Sequence, residues 1–552
     1  MQRGILASGR TRGVFAGLVL ALLLMACEPR RAPPAQDARA AGATASAAPN
    51  AVTSPAPAPD GGAPPNPLAQ ACTPHIPATP GQGYPTWTTS CVMPALPAGY
   101  PRPRPPSDRP WQQGKAASGP LSPKDPANIA KLLAALKAYV APAFNRYLTD
   151  PTNAATRPDA AGWRKMPWLG DADCDVDWSG SDASAGTSTG QLIPAGTLPG
   201  QRTDAGGTLQ NHSITWYDPW ASFALSSVFG EPAPGVGDPT KEQMVDGSVL
   251  VKIAVLTPYA DGTDWPTLAA APVWPVYRPP VGANTDYCAS QTNFELLKTH
   301  VIQFDIILKS SYYAPKTEWV FATWLYDPNA KGSEPLDHFT ALGAMWGNDP
   351  EIPQKDFCTP TKPLQENWIN PGTPAYGYQQ LGWGCRLSGP IDIARRPVQF
   401  ANGSSCPTAR VSACLSCHGT SEFSKTSAST ATLYPLTKGY DPFVVAEPGS
   451  KDWWNWFQSR PPTTPQGDQS GQNRKDYIAF DYDMVFVTSV PISRAAAGDK
   501  ALEAEAKRVN DDLRLERRVL PLTKLAAVPP GSAAPPAPPP GCNCSCAPGG
   551  KR

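Results

Sequence analysis

Val301-Ile-Gln-Phe-Asp-Ile-Ile-Leu308 and, across a polar link, Trp319-Val-Phe-Ala-Thr-Trp-Leu-Tyr326 decide the fold class. Both runs are built from β-branched and aromatic side chains and stop at turn formers such as Asp327-Pro328, the signature of a strand. Similar runs lie at Ser248 to Leu256, Phe339 to Trp346 and Ile478 to Val490. The links between them are long and loop-like, which favours antiparallel pairing over repeated strand–helix–strand units. Helices are expected at the edges. Asp125-Pro126 opens one as cap and first turn, with Ile129, Leu132, Leu133, Leu136, Tyr139 and Val140 at helical spacing. A short one covers Pro219 to Phe229, and a charged one Ala495 to Leu520. The fold class is therefore α+β: an antiparallel β-sheet domain with peripheral helices and long loops.

The ends read differently. Arg3, Arg10 and Arg12 precede an apolar run, Val14 to Leu24, too short for a membrane span. It leads into Leu24-Met25-Ala26-Cys27, which resembles the lipobox of bacterial lipoproteins and implies acylation of Cys27. Export is the expectation, to the periplasmic side of the cell envelope; Glu28 after the cysteine, with no Asp there, points to the outer membrane. Residues 1–26 are then signal peptide, 27–110 a Pro/Ala-rich tether, 111–525 the folded domain and 526–552 a low-complexity tail. The tail carries Cys542, Cys544 and Cys546, which read as oxidised thiols or a soft-metal site. A formal charge of +1 over 552 residues gives no field for nucleic acid. Membrane lipid, through Cys27, and an unspecified redox protein are the partners to expect.

One motif carries chemistry: Cys414-Leu-Ser-Cys417-His418. On a helical turn, positions i, i+3 and i+4 share a face. Two thiols so placed can add to the two vinyl groups of one haem, and the adjoining histidine then reaches the iron. Ser412 is the expected cap. A redox dithiol, half a zinc site and a plain disulfide are the alternatives; the first wants a βαβ setting and the second another nearby Cys/His pair. The motif occurs once, so the cofactor expected is one covalent haem c, held by Cys414 and Cys417 with His418 on the iron. Met345 and Met484 are the candidate sixth ligands, with His212 and His300 as rivals; each also reads as an ordinary core or hydrogen-bonding residue. Export would pair the remaining cysteines, ten once Cys27, Cys414 and Cys417 are set aside. Cys72 with Cys91 and Cys385 with Cys406 are the local pairings; spacing alone leaves connectivity open.

Gly343-Ala-Met-Trp-Gly-Asn-Asp-Pro350, Leu381-Gly-Trp-Gly-Cys-Arg-Leu-Ser-Gly-Pro-Ile-Asp392 and Ser412 to Thr420 together resemble exported bacterial single-haem proteins of the cytochrome c family. Asp246 to Lys252, Trp319-Val-Phe321 and Asp483-Met-Val-Phe486 are similar to patterns in hydroxylamine-oxidising cytochromes with a lysine-crosslinked haem, and in cytochrome c-prime-beta. The resemblance covers roughly residues 160 to 490 and implies an antiparallel sheet carrying haem at its end. It also implies that Lys252 lies near the haem; a solvent-facing strand lysine is the plain reading. The chain departs from the pattern by an insertion, Ala394 to Arg410, and by the long gap from His418 to Asp483. The function expected is a lipid-anchored c-type cytochrome for electron transfer; an open-site haem enzyme or gas binder acting on hydroxylamine or nitric oxide is the alternative. Two weaker signals remain. Asp171 to Asp182 spaces carboxylates somewhat like a calcium loop, but Val176 stands where the turn glycine belongs. Trp453-Trp-Asn-Trp-Phe457 reads as packing, with sugar stacking or haem shielding as alternatives.

Overall fold

The computed structural model describes residues 109, 111, 116–153, 155–166, 186–229, 240, 244–278, 295–352, 362–392, 395–399, 405–424, 451–465, 477–487 and 489–490. All belong to the unit Pro64–Arg552. The Cys27 leader, the Cys72/Cys91 loop, the Asp171–Asp182 segment, the 495–520 helix and the Cys542–Cys546 tail lie outside the described residues.

The expected α+β class holds in its coarse form: one antiparallel sheet with few helices. Its strands are β1 (Arg164–Lys165), β2 (Ser188–Ile193), β3 (Leu209–Tyr217), β4 (Val249–Leu256), β5 (Val273–Arg278), β6 (Glu295–Lys309), β7 (Trp319–Tyr326), β8 (Phe339–Met345) and β9 (Asn367–Ile369). The spatial order is β1-β3-β4-β6-β7-β8-β9, with β2 on β3 and β5 on β6. Two separate two-stranded sheets pair β10 (Arg395–Gln399) with β11 (Ser405–Arg410), and β12 (Glu422–Ser424) with β13 (Tyr477–Ala479). The insertion before the motif is thus the β10–β11 pair. Among the described residues no helix is long and apolar enough to cross a membrane.

Helix α1 (Pro126–Thr149) covers one face of the sheet. Its start follows the sequence: Asp125 Oδ1 accepts the Asn128 N–H at 3.0 Å and Pro126 occupies the first turn. Ile129, Leu132, Leu136, Val140, Phe144, Tyr147 and Leu148 are fully buried on its inner stripe. Phe144 meets Phe304 at 5.6 Å, and Tyr147 meets Trp216 at 5.4 Å and Trp274 at 5.0 Å, all edge-on. Each such side chain contributes about 1.5–3 kcal/mol by leaving water. The even-numbered side of β3 and β6 therefore forms the main core.

The run from Ile478 to Val490 is not one strand, contrary to the sequence expectation. Strand β13 ends at Ala479, Asp481 and Tyr482 turn left-handed, and 484–487 are helical. Tertiary partners decide this, because Asp481 is gripped by Lys309, Trp319 and the Met244 amide. Met484 consequently opens a helical turn. The short helices α2 (Ala221–Phe229), α3 (Ala375–Tyr378), α4 (Cys414–His418) and α5 (Lys451–Trp456) complete the described elements used below.

Candidate functional site

The second face of the sheet is built from the alternate residues of the same strands. Register aligns two rows across it. One runs Tyr217–Leu250–Ile307–Phe321–Met345, the next Thr215–Lys252–Asp305–Thr323–Gly343. The first row is apolar apart from the Tyr217 hydroxyl; the second is polar. Helix α4, the Cys-x-x-Cys-His turn, docks here. The His418 ring lies 4.6 Å from Phe321 of the first row. Cys414 is coupled electrostatically to Lys252 and Asp305 of the second.

Local bonds pin α4. The Cys414 N–H donates to the Leu387 carbonyl at 3.0 Å and the Trp383 N–H to the Ser412 carbonyl at 2.9 Å. The cap differs from expectation: Ala413 is the N-cap, and Ser416 closes it by accepting the Ala413 N–H at 2.8 Å. Ser412 instead gives its carbonyl to the Trp383 loop. A Cβ on Gly382 would come within 2.4 Å of that same Ser412 carbonyl, so only glycine permits the approach. The three segments on which the family resemblance rests converge. Arg386, fully buried, donates to the Asn348 and Asp349 carbonyls at 2.7 and 3.0 Å, while Leu387 accepts from the motif. Trp383 then packs on Trp453 at 4.3 Å and Phe457 at 4.4 Å. The tryptophan cluster is packing over the loop that leads into the motif.

His418 is held through one ring nitrogen. Its Nδ1 lies 2.8 Å from the Tyr482 carbonyl. A carbonyl only accepts, so Nδ1 carries the proton and Nε2 keeps its lone pair. Burial pulls the imidazole down to about 4, although the Tyr482 bond acts in the opposite sense. The ring is therefore neutral at physiological pH. Cys414 and Cys417 are not joined in a disulfide. Burial pushes the Cys414 thiol well above its usual range, and Asp305 and Asp392 push the same way. In this state the Cys414 side chain is a neutral thiol. Among the described residues no three His, Cys, Asp or Glu side chains are grouped to hold a metal ion. The arrangement can supply two thiol sulfurs outside any disulfide and one imidazole nitrogen along a single turn.

Lys252 is not a solvent-facing lysine. It is half-buried, ion-paired to Asp392 and 4.0 Å from Asp305. Burial disfavours its charge, but the two carboxylates more than offset this and raise its pKa. Gln303 donates to Asp392 and, at 2.7 Å, to Asp305. Burial and the neighbouring Asp392 raise the Asp305 carboxyl to about 7. A cluster that exchanges a proton near neutrality thus sits beside the motif. Asp305 was visible in the sequence as the one charge inside an apolar strand run; Asp392, on a loop, carried no such signal.

The other sequence candidates separate. Met345 is fully buried at the end of β8, facing Phe321 across the strand pair. Met484 is half-buried, two residues beyond the Tyr482 carbonyl that holds Nδ1. His212 points to the α1 face, in phase with Ile214 and Trp216, and cannot meet the motif. His300 has Nδ1 3.3 Å from the Ala271 carbonyl and Nε2 2.9 Å from Asp264, the latter an approach without hydrogen-bond geometry, and it sits on β6 beside β5. Cys385 is in a disulfide; its partner lies outside the described side chains.

Among the described residues, five that are not glycine have positive φ: Glu318, Asp349, Cys385, Asp481 and Tyr482. Each costs on the order of 1–3 kcal/mol and persists where surrounding bonds over-determine it. Asp481 (φ 48°) and Tyr482 (φ 64°) are consecutive, and the second presents its carbonyl to His418.

Comparison with protein-family models, with curated proteins and with solved structures finds no match for this chain.

Proposed function

We propose that this chain is a single-haem c-type protein of the cell envelope, with haem attached through Cys414 and Cys417, His418 on the iron, and electron transfer as its role. The observation that carries the reading is the state of His418: neutral, protonated on Nδ1 by its bond to Tyr482, with Nε2 making no hydrogen bond among the described residues. The donor set fits the group. Two cysteines free of a disulfide at i and i+3 suit thioether formation with two vinyl groups, and an imidazole at i+4 held through Nδ1 suits an iron ligand. Bound haem supplies one-electron redox chemistry at iron; the chain's part is to hold, orient and partly bury it. The disulfide at Cys385 supports an oxidising compartment. Acylation at Cys27 and an outer-membrane location remain part of the proposal, on the Leu24-Met-Ala-Cys27 sequence.

A second reading is favoured by one feature. The Lys252–Asp305–Asp392 cluster stands beside Cys414 with a carboxyl near neutrality. Proton-holding groups there suit an open iron position acting on hydroxylamine or nitric oxide more than simple electron relay. The full chain, produced with a cytochrome c maturation system, should stain for haem on a denaturing gel; an unstained band of mature protein refutes both readings. The reduced spectrum with and without carbon monoxide then separates them. No change on adding the gas supports electron transfer, and a shift supports the open site.

A further inference from the structure

Tyr482 holds the Nδ1 proton of His418 only because its backbone adopts a left-handed conformation that a bulky aromatic residue rarely takes. The residue before it is left-handed too, and it is bound from three sides. Lys309 Nζ donates to both carboxylate oxygens of Asp481 at 2.6 Å, Trp319 Nε1 donates at 2.9 Å, and the Met244 N–H at 2.8 Å. Asp481 is fully buried and Lys309 nearly so. Beyond the turn, the Tyr482 hydroxyl donates to the Arg460 carbonyl at 2.8 Å, and Tyr217 donates to Asp483 at 2.7 Å. Lys309 and Trp319 are cross-strand partners on β6 and β7, one step along from Ile307 and Phe321. The sheet that carries Phe321 against His418 therefore also grips the turn that holds Nδ1.

We propose that Asp481 is a positioning residue for the axial histidine: clamped by Lys309 and Trp319, it fixes the turn whose Tyr482 carbonyl takes the Nδ1 proton, and so sets the electron density at Nε2. This rests on the haem reading above. A firm Nδ1–H···O bond makes the imidazole a stronger donor and favours ferric over ferrous iron. A buried ion pair that adds little net stability is accounted for if it specifies a conformation.

The test uses the full haem-loaded chain. Asp481→Asn keeps the side-chain shape but removes the charge that holds Lys309. The paired variant Lys309→Met with Asp481→Asn removes both charges, and is read if the single change prevents folding. Loosening the turn should raise the reduction potential, changing the ferrous-to-ferric ratio at a fixed poise by about tenfold, which is 59 mV for one electron. Exchange of the His418 Nδ1 proton, followed by NMR in the ferrous protein, should quicken. Asp261→Asn, which breaks the exposed Arg202 pair, is the structural control and should leave both readouts in place. Covalent haem with an unchanged potential and unchanged proton exchange in a folded Asp481 variant overturns this inference alone. A wild-type chain that takes up no covalent haem overturns the reading beneath it.

Discussion

The two faces of the sheet come from the same strands and do opposite work. On the α1 face, Trp216, Val251, Phe304 and Ile306 meet an apolar helical stripe, and the contact is dispersion and water exclusion. On the other, Lys252, Asp305 and Thr323 cross the sheet in one row, and Lys309 with Trp319 reaches a strained turn. A one-residue step along β6, from Phe304 to Asp305, crosses from one regime to the other. The lesson is that alternation lets one strand pack an apolar stripe on its helix side while its other side combines an apolar row with buried charge and contacts to left-handed backbone.

That division can be broken in graded ways. The largest effect should come from Cys414→Ala with Cys417→Ala: covalent haem is lost completely, measured by gel stain and intact mass, while the α1 core still folds. Retention of covalent haem would refute the attachment site. Next, Phe144→Ala on the opposite face should cost about 3–5 kcal/mol in denaturant unfolding, as large core truncations do. The haem spectrum of the folded fraction should stay as in the parent; a changed spectrum would mean the faces are not independent.

A smaller effect is set by pH in the haem-free protein. Asp305 sits at about 7 when folded, against about 3.9 for an unperturbed aspartate. Between those values the folded chain keeps a proton that the unfolded chain has released. Stability therefore falls as pH rises through this window and levels off above about 7, with a slope of at most about 1.4 kcal/mol per pH unit from one group. His418 acts in the other sense: its folded value of about 4 makes stability fall as pH drops below its ordinary range near 6.5. Asp305→Asn should flatten the neutral side of the thermal-melt profile in part, since Asp483 is also raised to about 7 by burial. An unaltered slope would show that Asp305 does not titrate there. The smallest expected change is Met345→Leu, below about 1.5 kcal/mol, because the swap conserves volume in a packed site. A changed haem spectrum in that variant would instead make Met345 the sixth ligand.

How far each region was legible follows the same line. Strands β4, β7 and β8 were readable because they are nearly continuous apolar runs rich in Val, Ile, Phe or Trp, bounded by turn formers. Strand β3, Leu209-Gln-Asn-His-Ser-Ile-Thr-Trp-Tyr217, was missed: its polar residues gain burial only from neighbours distant in sequence. The last predicted strand failed for the matching reason. Its composition is strand-like, but buried bonds from β6 and β7 to Asp481 outweigh that local preference.

By itself, then, the sequence determined what is local: the capped α1 helix, the apolar alternation of the long strands, and the spacing of Cys414, Cys417 and His418 on one turn. Those depend on periodicity and on side chains a few residues apart. Only the tertiary structure decided that Lys252 and Asp305 stand beside Cys414, that His212 faces away, and that Tyr482 meets His418. Each of those contacts is a matter of register or of a turn held from outside, and neither is written in the residues nearby.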